Sequence, residues 1–255
     1  MQDCHHQLTL EQKNCHNMIS VCIATYNGGQ YIAEQIASIL PQLGDGDEIV
    51  VSDDASTDNT LETVRSFGDY RIRIVEGPQQ HSPTLNFENA VRHAKGEYIF
   101  LADQDDVWMP SKVDVCMAAL DDCDCVVSDA VMTDSMLRTT SQSLYATMHT
   151  RPGRLYNLLW HNGYTGCCMA FRRRILCHAL PFPKDTPMHD IWLGNVAAWL
   201  YKVRFIDDRL VLFRRHDNAA SCNGRGSRFS MAQQLRFRWN VVKNIVSLRI
   251  KASKH

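Results

Sequence analysis

Residues 18–42 read MISVCIATYNGGQYIAEQIASILPQ, and the reading of this stretch decides the fold. Residues 18–24 are a continuous apolar, β-branched run, the mark of a strand covered on both faces. Residues 31–40 then change to helical periodicity, and Pro41 stops the helix. The same unit repeats outward along the chain. Residues 48–52 form a second strand, followed by a helix that Ser56 or Asp58 caps and that runs to about Phe67. Residues 71–75 are a third strand and 84–94 a third helix closed by Gly96, while 97–102 are a fourth strand. This alternation predicts an α/β fold, a mostly parallel sheet with helices on both faces.

Beyond Pro110 the regularity falls. A helix over 111–120, a short strand over 125–128 and a polar, turn-rich stretch over 129–155 follow. A strand is expected at 165–171, a helix at 190–200, and two short strands at 203–206 and 210–214. The 255 residues are 45% apolar and 22% charged, the mix of a globular domain able to bury a core without disulfides. The ten cysteines lack the His spacing of a zinc site and read as buried free thiols. The net charge of −1 hides an asymmetry, because residues 225–255 hold eight Lys or Arg and no Asp or Glu. The chain therefore divides into a flexible leader (1–17), an α/β domain (18–224) and a basic amphipathic C-terminal helix (225–255). No apolar run has the ~20 residues of a membrane span, and the leader has no signal-peptide core, so a cytoplasmic protein is expected.

Ligands of open parallel sheets bind at the carboxyl ends of strands. The first strand ends Thr25-Tyr26-Asn27-Gly28-Gly29, the second carries Asp53-Asp54, and the fourth ends Asp103-Gln104-Asp105-Asp106-Val107-Trp108. One carboxylate after a strand is ordinary turn chemistry, a reading that suffices for Asp58. Five at two strand ends, packed without a cation, would repel and raise one another's pKa. A bound Mg²⁺ or Mn²⁺ is the economical expectation, since both favour hard oxygen ligands. Gly28-Gly29 is too short to be a dinucleotide fingerprint.

Taken together, a strand ending Thr-Tyr-Asn, the run Val-Ser-Asp-Asp-x-Ser-x-Asp over 51–58 and the Asp-Gln-Asp-Asp-Val-Trp of 103–108 resemble the inverting glycosyltransferases of family 2, which have the GT-A fold. The wording of the last motif and the ending Leu210-Val-Leu-Phe-Arg-Arg-His216 are closest to rhamnosyltransferase-like members of bacterial polysaccharide pathways. The resemblance implies roles for individual residues. Thr25 and Tyr26 would line a base pocket, and Asp54, or Asp53, would accept the N3–H of uracil or thymine, an edge that cytosine lacks. Asp103 would hold the ribose or donor sugar, and Asp105, with Asp106 beside it and His216 completing the shell, would hold the metal. Asp190 would be the catalytic base, against a plainer role as helix cap, with His189 orienting it or exposed. Arg214 and Arg215 are candidates for phosphate contact, and Trp108 for packing beneath the metal loop. The implied partners are a UDP- or dTDP-sugar donor and a glycan or lipid-linked acceptor, with no nucleic acid. Specificity is expected within 129–186.

Two other classes compete. Phosphohydrolases of the haloacid dehalogenase type also end a strand in Asp-x-Asp, but there that motif precedes the paired Asp, whereas here Asp53-Asp54 comes first. A non-catalytic nucleotide-sugar-binding module would have no need of Asp190. At the C-terminus, a helix over 235–252 gathers Leu235, Trp239, Val242, Val246 and Ile250 into one stripe, widened by Phe237, Val241, Ile245 and Leu248. Such a face beside cations suits either packing on the domain or peripheral contact with the inner membrane surface.

Overall fold

The computed structural model describes residues 18–216 and 230–252; the expected leader lies outside the described residues. The first half follows the predicted alternation. It comprises β1 (Ile19–Thr25), α1 (Ile32–Ile39), β2 (Glu48–Asp53), α2 (Thr60–Ser66), β3 (Ile72–Glu76), α3 (Pro83–His93) and β4 (Tyr98–Asp103). A two-residue β5 (Val107–Trp108), α4 (Lys112–Leu120), β6 (Cys125–Thr133), β7 (Thr139–Ser141), α5 (Leu144–Met148) and α6 (Arg154–Leu159) come next. The chain continues through β8 (Met169–Arg172), α7 (Leu176–Ala179), α8 (His189–Leu200), β9 (Val203–Arg214) and α9 (Met231–Ala252).

Among the described residues the strands form one sheet in the order β3-β2-β1-β4-β8-β6-β9-β5, with β7 on the flank of β6. The strands β1, β2, β3, β4, β6 and β9 run one way, while β5, β7 and β8 run the other. The sheet is thus mostly parallel, and its central strands carry the core. Val21, Ile23, Ile49, Val51, Ile99 and Leu101 are completely buried, each contributing roughly 1.5–3 kcal/mol of transfer free energy. Packed against them, Ile32, Ile36 and Ile39 of α1 repeat at three and four residues and bury one helical face. The described cysteines are free, and all but Cys177 are buried.

Four expectations are corrected. Helix α2 begins later than its proposed caps: Asn59 is the cap position and makes no side-chain bond there, while Asp58 accepts the Thr60 N–H from one residue further out. The stretch over 129–155 is not simply a loop, since it holds the end of β6, β7, α5 and the start of α6. The strand expected at 165–171 starts with a 3-10 turn, Gly166–Cys168, before β8 enters antiparallel between β4 and β6. Finally, 203–206 and 210–214 are one strand. The exposed Asp207-Asp208-Arg209 between them is where the β6–β9 register slips, a bulge that bends the strand without ending it.

Helix α9 packs on α8 and α6. Val241 and Ile245 are buried in that contact, and no helix among the described residues is long and apolar enough to cross a membrane.

Candidate active site

Three strand ends meet at one edge of the sheet. Gln104, in the loop after β4, clasps Tyr26 after β1: its Oε1 accepts the Tyr26 N–H at 3.0 Å and its Nε2 donates to the Tyr26 carbonyl at 3.1 Å. Gly28 permits this approach, since a Cβ there would lie 2.2 Å from Gln104 Oε1. The loops after β1 and β2 are tied in turn, Asn27 donating its N–H to Ser56 Oγ at 2.9 Å and accepting the Thr57 N–H at 2.8 Å. Asn27, Ala55, Gln79 and His81 all have left-handed backbones, with φ between +48° and +64°. Each costs on the order of 1 kcal/mol or more, and strain of this kind collects at ligand sites.

The base-pocket candidates are disposed unevenly. Tyr26 presents an exposed ring, stacked on His81 with centroids 4.3 Å apart. Thr25 is wholly buried, and its hydroxyl donates to Asp53 Oδ1 at 2.9 Å, so it supports the pocket rather than lining it. Asp53 also accepts the Ser56 hydroxyl and N–H, at 2.6 and 2.9 Å. Asp54 lies under the following loop, accepting the N–H of Gln80 at 3.2 Å and of Ser82 at 3.1 Å. These bonds engage two of the roughly four lone-pair directions of a carboxylate. The expected crowding of five carboxylates is therefore corrected. Strand β1 separates β2 from β4, and Asp53 and Asp54 are met by donors of their own loops.

The remaining three acids do crowd. Burial, then the charges of Asp105 and Asp190, pushes Asp103 up to about 7, against partial relief from the Cys167 thiol and Lys112. Asp106 is buried, and burial followed by Asp105 and Asp103 drives its carboxyl far above the usual range. One of its oxygens accepts the Arg214 N–H at 2.9 Å; the other has no partner among the described residues. Asp105 Oδ2 lies 2.7 Å from His216 Nε2. Ligand atoms of Asp103, Asp106 and Cys167 lie within 4.8 Å of one another. The donor set, mainly carboxylate with an imidazole alongside and an orphaned buried oxygen, fits a hard divalent cation. Cys167 was not foreseen. It arrives from the antiparallel side on the 3-10 turn before β8, and a lone thiol there carries no local signal. Nor was Lys112, which is buried with its ammonium donating to the Cys167 carbonyl and lying over the Trp108 ring. Trp108 is buried and tilted against Phe100, ring centroids 5.7 Å apart.

Asp190 occupies the first turn of α8, but the cap position is Met188, which makes no side-chain bond. Asp190 Oδ1 accepts the adjacent Ile191 N–H at 2.6 Å, and the Gly166 N–H also bonds to it. Burial nevertheless pushes its carboxyl up to about 6, and its charge is felt at Asp103. His189 is not exposed. It is buried against Phe87, ring centroids 3.8 Å apart, and burial lowers its pKa to about 3, so it is a neutral packing group. Arg214 is corrected as well. Its guanidinium is buried, paired with Glu34, donating to the Asp105 and Ser135 carbonyls and lying over Tyr31, so it anchors the acidic loop instead of meeting a phosphate. Arg215 lies over Phe213 and donates its N–H to Thr133.

Comparison with known proteins identifies the family and the fold. The model of Glycosyl transferase family 2 matches residues 20–179. The UDP-Glc:alpha-D-GlcNAc-diphosphoundecaprenol beta-1,3-glucosyltransferase WfgD of Escherichia coli is 25% identical over 167 residues, 65% of this chain and 64% of that protein, so the chain spans just under two thirds of that relative. Among solved structures, S. aureus TarS 1–349 in complex with UDP-GlcNAc superposes with a TM-score of 0.65 at 18% identity, covering 91% of this chain and 66% of that one. Glucosyl-3-phosphoglycerate synthase from Mycobacterium tuberculosis, solved with Mn²⁺ and UDP, superposes with a TM-score of 0.57 at 18% identity, covering 97% and 86%. The fold is GT-A.

Proposed function

The chain belongs to glycosyl transferase family 2, and from that membership we propose that it carries a sugar from a nucleoside diphosphate to an acceptor hydroxyl with inversion, assisted by a divalent cation. The observation that carries this reading is the convergence, at one sheet edge, of the acidic loop 103–106 with Asp190, whose charge reaches Asp103. The family match also displaces the phosphohydrolase alternative.

Each residue has a physical task in this reading. Tyr26 offers an apolar face to a pyrimidine, and Asp54, buried beneath the loop of Gln80 and Ser82, keeps lone pairs that would meet its N3–H once that loop gives way. Asp103 takes the ribose or the donor sugar. Asp105, Asp106 and His216 would hold the cation, with Cys167 adjoining, and the cation would supply charge neutralisation on the leaving diphosphate. Asp190 takes the proton of the acceptor hydroxyl as that oxygen bonds to the anomeric carbon. The bond from that carbon to the diphosphate breaks, the diphosphate keeping the electron pair, and the single displacement inverts the centre. Incubating the protein with Mn²⁺ and UDP- or dTDP-sugars, glucose, N-acetylglucosamine and rhamnose among them, is expected to release free nucleoside diphosphate. A protein that binds a donor tightly and releases none is a binding module, and this reading is then wrong.

The acceptor proposed is a lipid-linked glycan of a bacterial polysaccharide pathway, by analogy with WfgD, and α9 adds support for work at a lipid surface. Its Val241 and Ile245 face α8, but Leu235, Trp239 and Val246 point outward, 50–66% exposed. Exposed Leu155, Leu159 and Trp160 of the neighbouring α6 and loop extend the apolar surface, and Lys243 and Arg249 flank it. Each basic residue near an anionic surface adds about 1 kcal/mol, enough together for reversible, peripheral attachment at the inner face of the membrane. The protein is expected to sediment with phosphatidylglycerol vesicles at low salt and to be released at high salt. Trp239→Glu should remain in the supernatant. If wild type and variant partition alike, the outer stripe is not a membrane face.

A further inference from the structure

The loop between β3 and α3 lies over the two residues that the donor reading gives to the nucleobase. Gly77 fixes its start: the Gly77 N–H donates to the Asp53 carbonyl at 2.8 Å, and a Cβ there would come within 2.6 Å of that same oxygen. Ser82 fixes its end as the cap of α3, its side chain accepting the Leu85 N–H. Between these anchors Gln79, Gln80 and His81 are exposed. Among the described residues, few contacts hold them down. His81 stacks on Tyr26, the Gln80 N–H donates to Asp54 Oδ1 at 3.2 Å, and the Gln79 side chain reaches Glu76. Against those contacts stand two left-handed backbones, Gln79 at φ +55° and His81 at φ +50°, a conformation that residues with a Cβ adopt at a cost.

The contacts have a particular chemistry. A flat, nitrogen-bearing ring lies on the Tyr26 ring, and the N–H of the adjacent residue meets one oxygen of Asp54. A uracil or thymine base offers the same pair, a flat face and an N3–H on its edge. The other oxygen of Asp54 is held separately, Oδ2 accepting the Ser82 N–H at 3.1 Å from the helix cap. Lifting residues 78–81 alone would therefore uncover the Tyr26 ring and free Asp54 Oδ1, while Oδ2 keeps Asp54 anchored. An incoming base would replace both lost contacts, and the two left-handed residues would be released.

We propose that residues 78–81 plug the nucleobase seat, His81 holding the place of the pyrimidine ring and the Gln80 N–H that of N3–H, and that the donor enters by displacing them. The proposal rests on the donor reading of Tyr26 and Asp54. It makes His81 a residue that sets donor affinity without touching the reacting atoms, and it accounts for the burial of Asp54.

The test follows the His81 ring protons by NMR in the full chain at one fixed pH, with UDP and Mg²⁺ as the probe and His81→Ala to identify the signals. Before UDP is added, the stack on Tyr26 should place these signals upfield of an exposed histidine's. Saturating UDP should return them to ordinary positions. His81→Ala removes the stack, which for an aromatic pair is worth about two- to tenfold in an equilibrium constant. Its Kd for UDP should fall by that factor, and its Kd for pyrophosphate, which has no base, should not change. Signals at ordinary positions before UDP, signals still upfield after it, or a variant that binds UDP no more tightly than wild type each overturn the proposal and leave the transferase reading intact. If neither wild type nor variant binds UDP or dTDP, the donor reading is overturned, and this proposal with it.

Discussion

Asp190→Asn is expected to cut sugar transfer a hundredfold or more while donor and metal affinity stay at their wild-type values, the range for loss of a general base. The substitution is clean for a structural reason. Asp190 Oδ1 accepts the Ile191 N–H, and the amide oxygen of Asn can accept that bond in its place. What Asn cannot do is take a proton. The same residue sets a pH dependence. With its carboxyl pushed up to about 6 by burial, the base is mostly protonated below that pH, so transfer should fall about tenfold per pH unit there and level off above it. The Asn variant should lose this limb. Stability moves the opposite way. The folded pKa exceeds the ordinary ~3.9 of an unfolded Asp, so the stability that Asp190 contributes is complete below ~3.9 and is lost as pH rises through about 6. The variant should therefore melt at or above the wild-type temperature at pH 7. Normal turnover with weakened donor binding or a lowered melting temperature would assign Asp190 to holding the start of α8, and the base would have to be sought elsewhere.

The parts of this molecule legible in its sequence are those where one physical demand dominates. Strands β1, β2 and β4 are covered on both faces, so their apolar runs are continuous and their ends fall where Asp53 and Asp103 interrupt them. Strand β6 was read too short because Asp129 and Thr133 look like exposed residues. In the fold both are buried, Asp129 by accepting from Ala130, Ser143 and Tyr145. Long-range pairing of this kind leaves no trace in local pattern. The site divides in the same way. The clustered carboxylates pointed to the acidic loop and the family resemblance to Asp190 and His216; in the fold His216 meets Asp105 and the charge of Asp190 is felt at Asp103. Arg214, next to His216, was assigned to phosphate because a cation near a donor site invites that reading; only the fold reveals Glu34 and the Asp105 carbonyl as its partners. Cys167 reaches the acidic loop from 61 residues beyond it, on the turn before the antiparallel β8, and Lys112, six residues beyond the loop at the start of α4, meets the Cys167 carbonyl; nothing at either position announces that meeting.

Removing or adding the cation should have the other large effect. Desolvation, then the charges of Asp105 and Asp190, pushes Asp103 up to about 7, and burial with the charges of Asp105 and Asp103 holds Asp106 well above the usual carboxylate range. Folded-state pKa values above the unfolded ~3.9 mean that the fold gives up stability as pH rises from there through about 7. A divalent cation reverses this, since it takes the place of the protons that these carboxylates would otherwise hold. At a hundred times its Kd it adds about 2.7 kcal/mol. At roughly 2–4 °C per kcal/mol for a domain of this size, that is a rise of about 5–10 °C in melting temperature. The gain should be larger at pH 8 than at pH 5.5, where protons compete for the same oxygens. Asp105→Asn removes the carboxylate that pairs with His216 and links that imidazole to the acidic loop. It should abolish both the Mn²⁺-induced rise and the Mn²⁺-dependent binding of nucleoside diphosphate, while the metal-free protein melts at or above the wild-type temperature because one repelling charge is gone. Calorimetry of wild type and variant with and without Mn²⁺ at the two pH values checks all of this. A wild type that melts alike with and without Mn²⁺ at pH 8, or that transfers sugar undiminished in excess chelator, would mean that the acidic loop works through shared protons and hydrogen bonds alone.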